Sequence, residues 1–536
     1  MTRFLSAAVP VMIFLALACR DLGLAGLNDG EAIFGVGALR VADALRSGHL
    51  GSMPSGIMLI HGIVQSWMAL PFVAWMPLPP ALALRSCFTV FGAGAVLLLY
   101  RLTLRALKSE AAAFVAALLL AASPAFIVNA HFGGFFNTTT VFFTAAALWS
   151  LCRWLEDGNA RYFGLTAFFI GFSLGAVMHV IVLFGAFIVC MLYCLIFERR
   201  QRRAEALRCG GVFLLIGLAP LLWHLWDVAP DLWGGIVTRA GPDPWRFRDF
   251  LVITQRLRGL LDGTGLISVV EGLKPPVLYG SPATISYGNQ LFPALFCGAL
   301  AVLAYAGFRR PSGTPGEQRA ALLARVLVVL NVSYWVFGSA VVRISDYYHF
   351  TSWQPIPQLT VAAALHWLVV SSGRRSKALS AAVLLLTFNA IADATVLATF
   401  FGYLRSTRGE DRWSPAVYDL SDWLKREDIH SAVALTFGLS YSLNYLSGGS
   451  FEVINAWEGH LEGNLKDDLR LSRPVYLLRH DRDQRLYIGD YKLERTLDYL
   501  SASNYDCAVR KDFTGARGEP VVSVLQCLPR RLAGRD

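Results

Sequence analysis

The first part of the chain alternates between long apolar runs and short polar or basic segments. A helix needs about 20 apolar residues to cross the hydrocarbon core of a bilayer, and most of the runs approach that length. The pattern predicts a mainly α fold, a polytopic membrane helical bundle with about eleven transmembrane helices. The predicted spans are residues 4–26, 85–105, 110–128, 137–154, 162–178, 180–197, 210–226, 290–307, 322–341, 353–370 and 378–398.

The basic residues mark one side of the predicted membrane. They concentrate between the spans, most densely at residues 198–203, ERRQRR. Because short loops rich in Lys and Arg stay in the cytoplasm, they place residues 27–84 and 227–288 on the outer side. The first of these outer segments is predicted to hold helices at 31–46 and 61–76. One crossing more or fewer within it would reverse the side of every later segment.

The apolar runs end near residue 402, and residues 403–536 are charged. Alternating stretches at 475–478 and 521–525 are typical of strands. They predict a small soluble α/β domain on the outer side, next to a transmembrane domain of residues 1–402. Cys507 and Cys527 lie in this part, and they can form a disulfide if it faces an oxidising compartment.

Composition supports the membrane assignment, because 55% of the residues are hydrophobic and only 16% are charged, against about 25% in soluble proteins. The net charge of +10 comes mainly from the basic loops. It therefore indicates a multi-pass membrane protein in contact with lipids, and argues against nucleic-acid binding. No Walker loop, dinucleotide fingerprint, His-x-x-x-His pair or acidic cluster occurs. We therefore expect no cofactor and no metal.

Two carboxylates, Asp29 and Glu31, follow the first predicted span and begin an amphipathic helix. They have two interpretations. Acids at a helix start cap its N–H groups and favour its positive end. A carboxylate at the membrane boundary can instead act as a base on a substrate.

The segment that contains these acids resembles a known family. Residues 27–47, LNDGEAIFGVGALRVADALRS, are similar to the first outer loop of GT-C-fold glycosyltransferases. Among these enzymes, the segment is most similar to the superfamily of protein O-mannosyltransferases and lipid A aminoarabinose transferases. Those enzymes carry an Asp-Glu pair here, then a helix with a central Arg, whose place Arg40 takes. In this chain a glycine separates the two acids, as Asp29-Gly30-Glu31. Both acids are therefore candidates for the catalytic residue.

Other segments follow the layout of the same family, over roughly residues 5–370. His61 stands where relatives have a basic residue that opens a second outer helix, and residues 85–105 resemble the next span with its flanking arginines. The family's second acidic site falls on Asn137, and its lysine near residue 179 is replaced by His179. Residues 346–350 stand where many relatives have a basic residue and a tyrosine.

The resemblance implies a glycosyltransferase of a bacterial inner membrane that acts with inversion on a polyprenyl-phosphate sugar. We expect it to be a monomer. The acceptor would be a glycan, lipid or protein outside the cytoplasm. Asp29 or Glu31 would be the base. The candidates for donor and phosphate binding are His61, Arg85, His131, Asn137, His179, Arg343, Tyr348 and His349. Two alternatives remain open: an inactive relative that binds lipid-linked sugar, and a transporter or flippase, which would carry charged groups within its spans.

Overall fold

The computed structural model of the protein describes residues 2–58, 61–198, 203–239, 247–270, 287–309, 315–341, 347–372, 374–410, 413–436, 438–456, 473–480 and 490–530.

Helices dominate the first part of the chain. In chain order they are α1 (Thr2–Ala18), α2 (Asp29–Ser47), α3 (Val64–Trp75), α4 (Pro80–Leu107), α5 (Glu110–Ala121), α6 (Pro124–His131), α7 (Gly133–Phe136), α8 (Thr138–Asp157), α9 (Ala160–Leu174), α10 (Ile181–Tyr193), α11 (Arg203–Arg239), α12 (Phe247–Leu261), α13 (Thr264–Val270), α14 (Leu291–Phe308), α15 (Pro315–Val341), α16 (Pro355–Ser371) and α17 (Arg375–Thr407). Two short antiparallel strands, β1 (Gly56–Met58) and β2 (His61–Gly62), precede α3. Short 3₁₀ turns lie at Leu50–Ser52, Met178–Val180 and Tyr347–Trp353.

Prolines and glycines set several of the helix ends. Pro80 lies in the first turn of α4, where its missing N–H costs no helical bond. Gly158 closes α8 in the left-handed conformation, with φ of 66°. Pro124 interrupts the third predicted span, because the residue before a proline avoids the helical conformation. The span is therefore two helices, α5 and α6, bent by 56°.

The prediction of a polytopic helical bundle is confirmed. In the described part of the chain, six helices are long and apolar enough to cross a membrane, or seven if α5 and α6 form one bent span. The six lie at Pro80–Leu107, Met178–Glu198, Arg203–Asp227, Leu291–Phe308, Glu317–Ala340 and Arg375–Thr407. Helices α1 and α9 are apolar but shorter. The count of about eleven spans stays a prediction.

The second outer segment differs from the polar loop that the sequence predicted. Helix α11 continues to Arg239, well past the predicted end of its span, and α12 and α13 follow. In α12 the apolar side chains of Ile253, Leu257 and Leu260 are buried on one stripe, while charged residues interrupt the run between them. That helical spacing, and not the polarity of the segment, decides its structure.

The last part of the chain folds as a small α/β domain, as predicted. Its elements are α18 (Ala416–Arg426), β3 (Ser431–Ala434), α19 (Ser440–Ser447), β4 (Glu452–Asn455), β5 (Val475–His480), α20 (Asp490–Ala502), β6 (Tyr505–Thr514) and β7 (Pro520–Pro529). The strands form one mixed sheet in the order β4-β3-β5-β7-β6. Strand β3 pairs in parallel with β4 and β5, and β7 pairs antiparallel with β5 and β6.

The sheet of this domain is apolar on both faces. Leu478 packs with α18 and α19 on one face, and its neighbour Leu477 packs with α20 on the other. Successive side chains of a strand point to opposite faces, so one strand serves both layers. Cys507 and Cys527 lie opposite each other on β6 and β7 and form a disulfide.

Candidate active site

Helix α2 begins with a capping box that does not use Asp29. The side chain of Asn28 accepts the N–H of Gly30 at 2.8 Å, and the carboxylate of Glu31 accepts the N–H of Asn28 at 3.2 Å. This reciprocal pair satisfies two donors at the helix start. The capping interpretation of the two acids therefore fits Glu31, with Asn28 as the cap.

Glu31 is also half of a buried ion pair. Arg85 on α4 donates from Nε to Oε1 at 3.0 Å and from Nη2 to Oε2 at 2.9 Å, and both side chains are almost completely buried. The remaining donors of Arg85 bond the carbonyls of Leu22, Ala25 and Gly26 at 2.8, 3.1 and 2.9 Å. All five N–H donors of this guanidinium are thus in use. The predicted phosphate contact of Arg85 would require it to break one of these bonds.

Asp29 is fully buried, and a residue of the C-terminal domain contacts it. The N–H of Ser442 in α19 donates to Oδ1 of Asp29 at 2.9 Å, and the Ser442 hydroxyl donates to the carbonyl of Leu27 at 2.9 Å. No motif in the sequence pointed to Ser442, which lies 413 residues from Asp29. The two acids therefore differ in role: Arg85 holds Glu31, whereas α19 contacts Asp29.

Two glycines bring α7 against the start of α2. A Cβ at Gly134 would lie 2.8 Å from the Cα of Glu31, and a Cβ at Gly30 would collide with the ring of Phe135. Only glycine permits so close an approach. Asn137 follows α7 in the left-handed conformation, with φ of 63°, and lies at the start of α8.

Asn137 is linked to α3 through a buried glutamine. The side chain of Gln65 donates from Nε2 to Oδ1 of Asn137 at 2.6 Å, and both residues are buried. Gln65 is a second residue that the sequence analysis missed, because an amide on an apolar helix carries no motif. The pair places neutral polar groups close to α2, where the family has an acid.

Three of the predicted histidines come together from three separate segments. His61 on β2 forms a bridge with Val177, just before the 3₁₀ turn that carries His179. The rings of His179 and His349 lie 3.6 Å apart between centroids. The ring of His61 contacts Phe34 of α2 edge-on at 5.4 Å, so the cluster adjoins the helix that begins with Asp29.

In this histidine cluster (His61, His179 and His349), burial lowers the pKa of His61 and of His349 and so favours their neutral forms. Desolvation, followed by the charges of His179 and His224, lowers the pKa of His61 to about 3. The pKa of His349 also lies well below its ordinary value, first because of burial and then because of His179, Arg256 and His61. Arg256 of α12 is a permanent cation beside the cluster, since its charge acts on His349.

The other candidates for donor binding lie elsewhere or outside the described part. His131 is buried, its Nδ1 lies 3.2 Å from the carbonyl of Ala18, and it interacts electrostatically with Arg85. It therefore packs between helices beside the ion pair and not with the other three histidines. Arg343 and the side chain of Tyr348 lie outside the described residues.

An apolar groove of about 560 Å³ runs between α12, α14 and α15. Among its lining residues are Leu257, Phe296, Leu300 and Trp335, with Arg258 also at its wall. Trp353 lines it as well and belongs to the same 3₁₀ turn as His349. The groove thus adjoins the turn that carries one histidine of the cluster. Within the described residues, no group of three His, Cys, Asp or Glu side chains is placed to hold a metal ion.

Comparisons with known proteins agree with this architecture. Residues 61–224 match the model of a family described as dolichyl-phosphate-mannose-protein mannosyltransferase. The fold resembles the crystal structure of ArnT from Cupriavidus metallidurans bound to undecaprenyl phosphate, with a TM-score of 0.56 and 13% identity over 97% of both chains. The apo crystal structure of the same protein gives a TM-score of 0.46 and 12% identity over the same shares. No curated protein sequence matches the chain significantly.

These findings confirm the resemblance that the motifs indicated, and the chain has the GT-C fold. The matched segment begins at His61 and ends at His224, so it includes Asn137 and His179 but not Asp29.

Proposed function

We propose that this protein is a membrane glycosyltransferase that transfers a sugar, with inversion, from a polyprenyl-phosphate donor to an acceptor hydroxyl outside the cytoplasm. The observation that carries the proposal is that, on a GT-C fold, the two acids at the start of α2 have different partners. Arg85 compensates the charge of Glu31, whereas α19 contacts Asp29. Asp29 begins α2, and Phe34 in the next turns of this helix contacts His61 of the histidine cluster. A base and a phosphate site are thus both available at one helix.

The reaction requires one base on the acceptor side. Asp29 would take the proton of the acceptor hydroxyl as its oxygen attacks the anomeric carbon. The bond from that carbon to the phosphate oxygen breaks, and the bond's electron pair leaves with the polyprenyl phosphate. Attack from the face opposite the leaving group inverts the anomeric configuration.

The leaving phosphate needs positive charge on the other side. Arg256 supplies a permanent cation, and His61, His179 and His349 can each take up a proton when an anion enters. In a site that excludes water, such contacts are strong and need little reorganisation. Asn137, paired with Gln65, would offer its amide to the sugar or phosphate, and Tyr348 and Arg343 remain predicted contributors.

The lipid part of the donor explains the apolar groove. An isoprenoid tail stays in hydrocarbon while its phosphate reaches the outer segments. A groove lined by Leu257, Leu300 and Trp335 suits such a tail, and Trp353 connects it to the turn of His349. The structure with which the chain aligns, ArnT, was crystallised with undecaprenyl phosphate, a lipid of this class.

We place the protein in a bacterial inner membrane with the C-terminal domain on the outer face. The disulfide between Cys507 and Cys527 supports this orientation, because disulfides form and persist in oxidising compartments.

The transporter alternative would be favoured by charged groups within the spans. Asp393 does lie in α17, but its carboxylate accepts hydrogen bonds from Asn289 at 2.6 Å and from Asn389 at 2.8 Å. Asn289 in turn caps α14 by accepting the N–H of Leu291 at 3.0 Å. The network therefore joins two helices, which is a structural role.

The proposed function is tested by the release of polyprenyl phosphate. Purified protein in nanodiscs is incubated with polyprenyl-phosphate sugars and with candidate glycan, lipid and protein acceptors. We expect release that depends on an acceptor, with an inverted anomeric centre in the product by NMR. Tight donor binding without release would instead identify an inactive relative, and movement of intact donor between leaflets would identify a flippase.

The histidine cluster makes a prediction about pH. We expect binding of an anionic donor to be coupled to proton uptake, because a phosphate placed beside His61, whose pKa burial lowers to about 3, would favour the charged form of its imidazole. The donor KM should therefore fall as the pH is lowered from about 8 to about 6, by up to about tenfold per pH unit for each proton taken up. Among the described residues, the titratable or charged groups outside the cluster that act on it are His224 and Arg256.

Kinetics at several pH values, with donor varied, measure this effect. His61→Gln should weaken the pH dependence of KM, whereas His430→Gln, at an exposed histidine of the C-terminal domain, should leave it as in the parent. A donor KM that does not change with pH in the parent would exclude proton uptake by the cluster.

A further inference from the structure

The C-terminal domain makes a set of hydrogen bonds to the backbone around Asp29. The N–H of Gly26 donates to the carbonyl of Trp413 at 2.6 Å, and the hydroxyl of Tyr418 donates to the carbonyl of Ala25 at 3.3 Å. Trp413 is itself buried against the rings of Phe132 and Phe135, at 5.7 and 5.3 Å between centroids. The domain is therefore packed into the segment between α1 and α2 and does not merely follow the last span.

Helix α19 makes the remaining contacts. The hydroxyl of Tyr445 donates to the carbonyl of Pro80 at 3.1 Å, and its ring fills the space above Gly35, where a Cβ would lie 2.7 Å from the ring. These contacts hold α19 across α2 and the start of α4. Its N-terminal turn then lies over Asp29, which receives the Ser442 N–H.

The position of Ser442 within α19 explains why its N–H is available. The helix begins at Ser440, and the first N–H bonded within it is that of Leu443, to the carbonyl of Leu439. The N–H groups before Leu443 belong to the helix start and have no carbonyl of their own turn to bond. A carboxylate placed there accepts a bond without cost to the helix and is favoured by the helix dipole.

We propose that Ser442 is a positioning residue for catalysis: through its backbone N–H, the C-terminal domain holds Asp29 in the orientation that accepts the proton of the acceptor. The domain thereby completes the active site of the transmembrane part. This inference rests on the proposed function, in which Asp29 is the base. It makes the N–H of Ser442, and not its side chain, the group that matters.

The kinetic test compares two substitutions that both remove the hydroxyl. Ser442→Ala keeps the N–H. Ser442→Pro removes it without loss of a hydrogen bond within the helix, but it also disfavours the helical conformation of the preceding residue, Tyr441. We expect kcat of Ser442→Pro to be about 10- to 100-fold below that of Ser442→Ala, with a similar donor KM, because a misplaced base slows the step without weakening donor binding. Ser440→Pro, at the first position of the same turn, places the same constraint on Leu439, which is also in the right-handed helical conformation, and therefore controls for the presence of a proline. Its kcat should stay well above that of Ser442→Pro.

Equal kcat values for Ser442→Ala and Ser442→Pro would overturn the proposal. So would a loss in Ser442→Pro that is accompanied by an equal loss in Ser440→Pro or by a large fall in thermal midpoint, because the effect would then come from α19 unfolding.

A second measurement does not depend on turnover. Hydrogen–deuterium exchange of a peptide that covers residues 440–444 reports the contact directly. Asp29→Ala should remove protection from this peptide. Asp43→Ala, which changes an exposed aspartate of α2, the helix that begins with Asp29, should not. If the parent protein releases no polyprenyl phosphate, the proposed function fails, but exchange still decides whether α19 holds Asp29. Unchanged exchange in Asp29→Ala would refute the contact whatever the activity.

Discussion

Asp29→Asn should lower the kcat for release of polyprenyl phosphate by about 100- to 10,000-fold, the range that a general base contributes. An amide cannot take a proton from the acceptor, so the attack loses its base. The amide oxygen can still accept the N–H of Ser442, and the cap formed by Asn28 is untouched. The donor KM and the thermal midpoint should therefore stay close to those of the parent.

The measurement is steady-state kinetics with saturating acceptor, together with thermal unfolding in the same nanodiscs. Asp43→Asn is the matched control, because Asp43 lies on the same helix but is exposed. Full activity in Asp29→Asn would show that this carboxylate is not the base. If activity fell only in proportion to the amount of folded protein, the assignment of Asp29 as the base would also be refuted.

Hydropathy alone predicted the bundle, because the bilayer imposes a length and an apolar composition that each helix must meet. Hydropathy did not predict the structure of the segments outside the membrane, where this constraint does not apply. Helix α12 in the second outer segment is held by a buried stripe that includes Ile253 and Leu257, and such spacing is weak in a segment rich in charge. The α/β domain was predicted from alternating runs, but its packing against α2 was not, since that depends on contacts between residues far apart in the sequence.

The site shows a similar division. The motifs located Asp29, Glu31 and the histidines His61, His179 and His349, but they did not distinguish the two acids. That distinction depends on Arg85, which the sequence presents only as a flanking arginine. Three of its five hydrogen bonds go to backbone carbonyls, and backbone groups leave no signature in a sequence. Ser442 acts through its N–H, so it too could not be found from its residue type.

Arg85→Met should destabilise the folded protein by about 3–5 kcal/mol, the cost of breaking a buried ion pair by removal of one partner. The change leaves the Glu31 carboxylate buried without its cation, and it removes the donors of three carbonyls between α1 and α2. The segment that presents Asp29 would lose its anchor to α4, so folded yield and activity should fall together. This pattern is the opposite of that expected for Asp29→Asn.

A double-mutant cycle measures how much the Arg85–Glu31 ion pair contributes to stability, separately from the other hydrogen bonds of Arg85. Glu31→Gln can still accept the N–H of Asn28, as glutamine does in a capping box, but it carries no charge. In the Arg85→Met background it should therefore recover part of the lost stability, whereas in the parent it should destabilise by leaving Arg85 unpaired. Unfolding in detergent measures all four proteins, and Arg40→Met on the exposed side of α2 controls for loss of an arginine. If Arg85→Met unfolded like Arg40→Met, the buried pair would not stabilise the protein, and the reason for preferring Asp29 over Glu31 as the base would be lost.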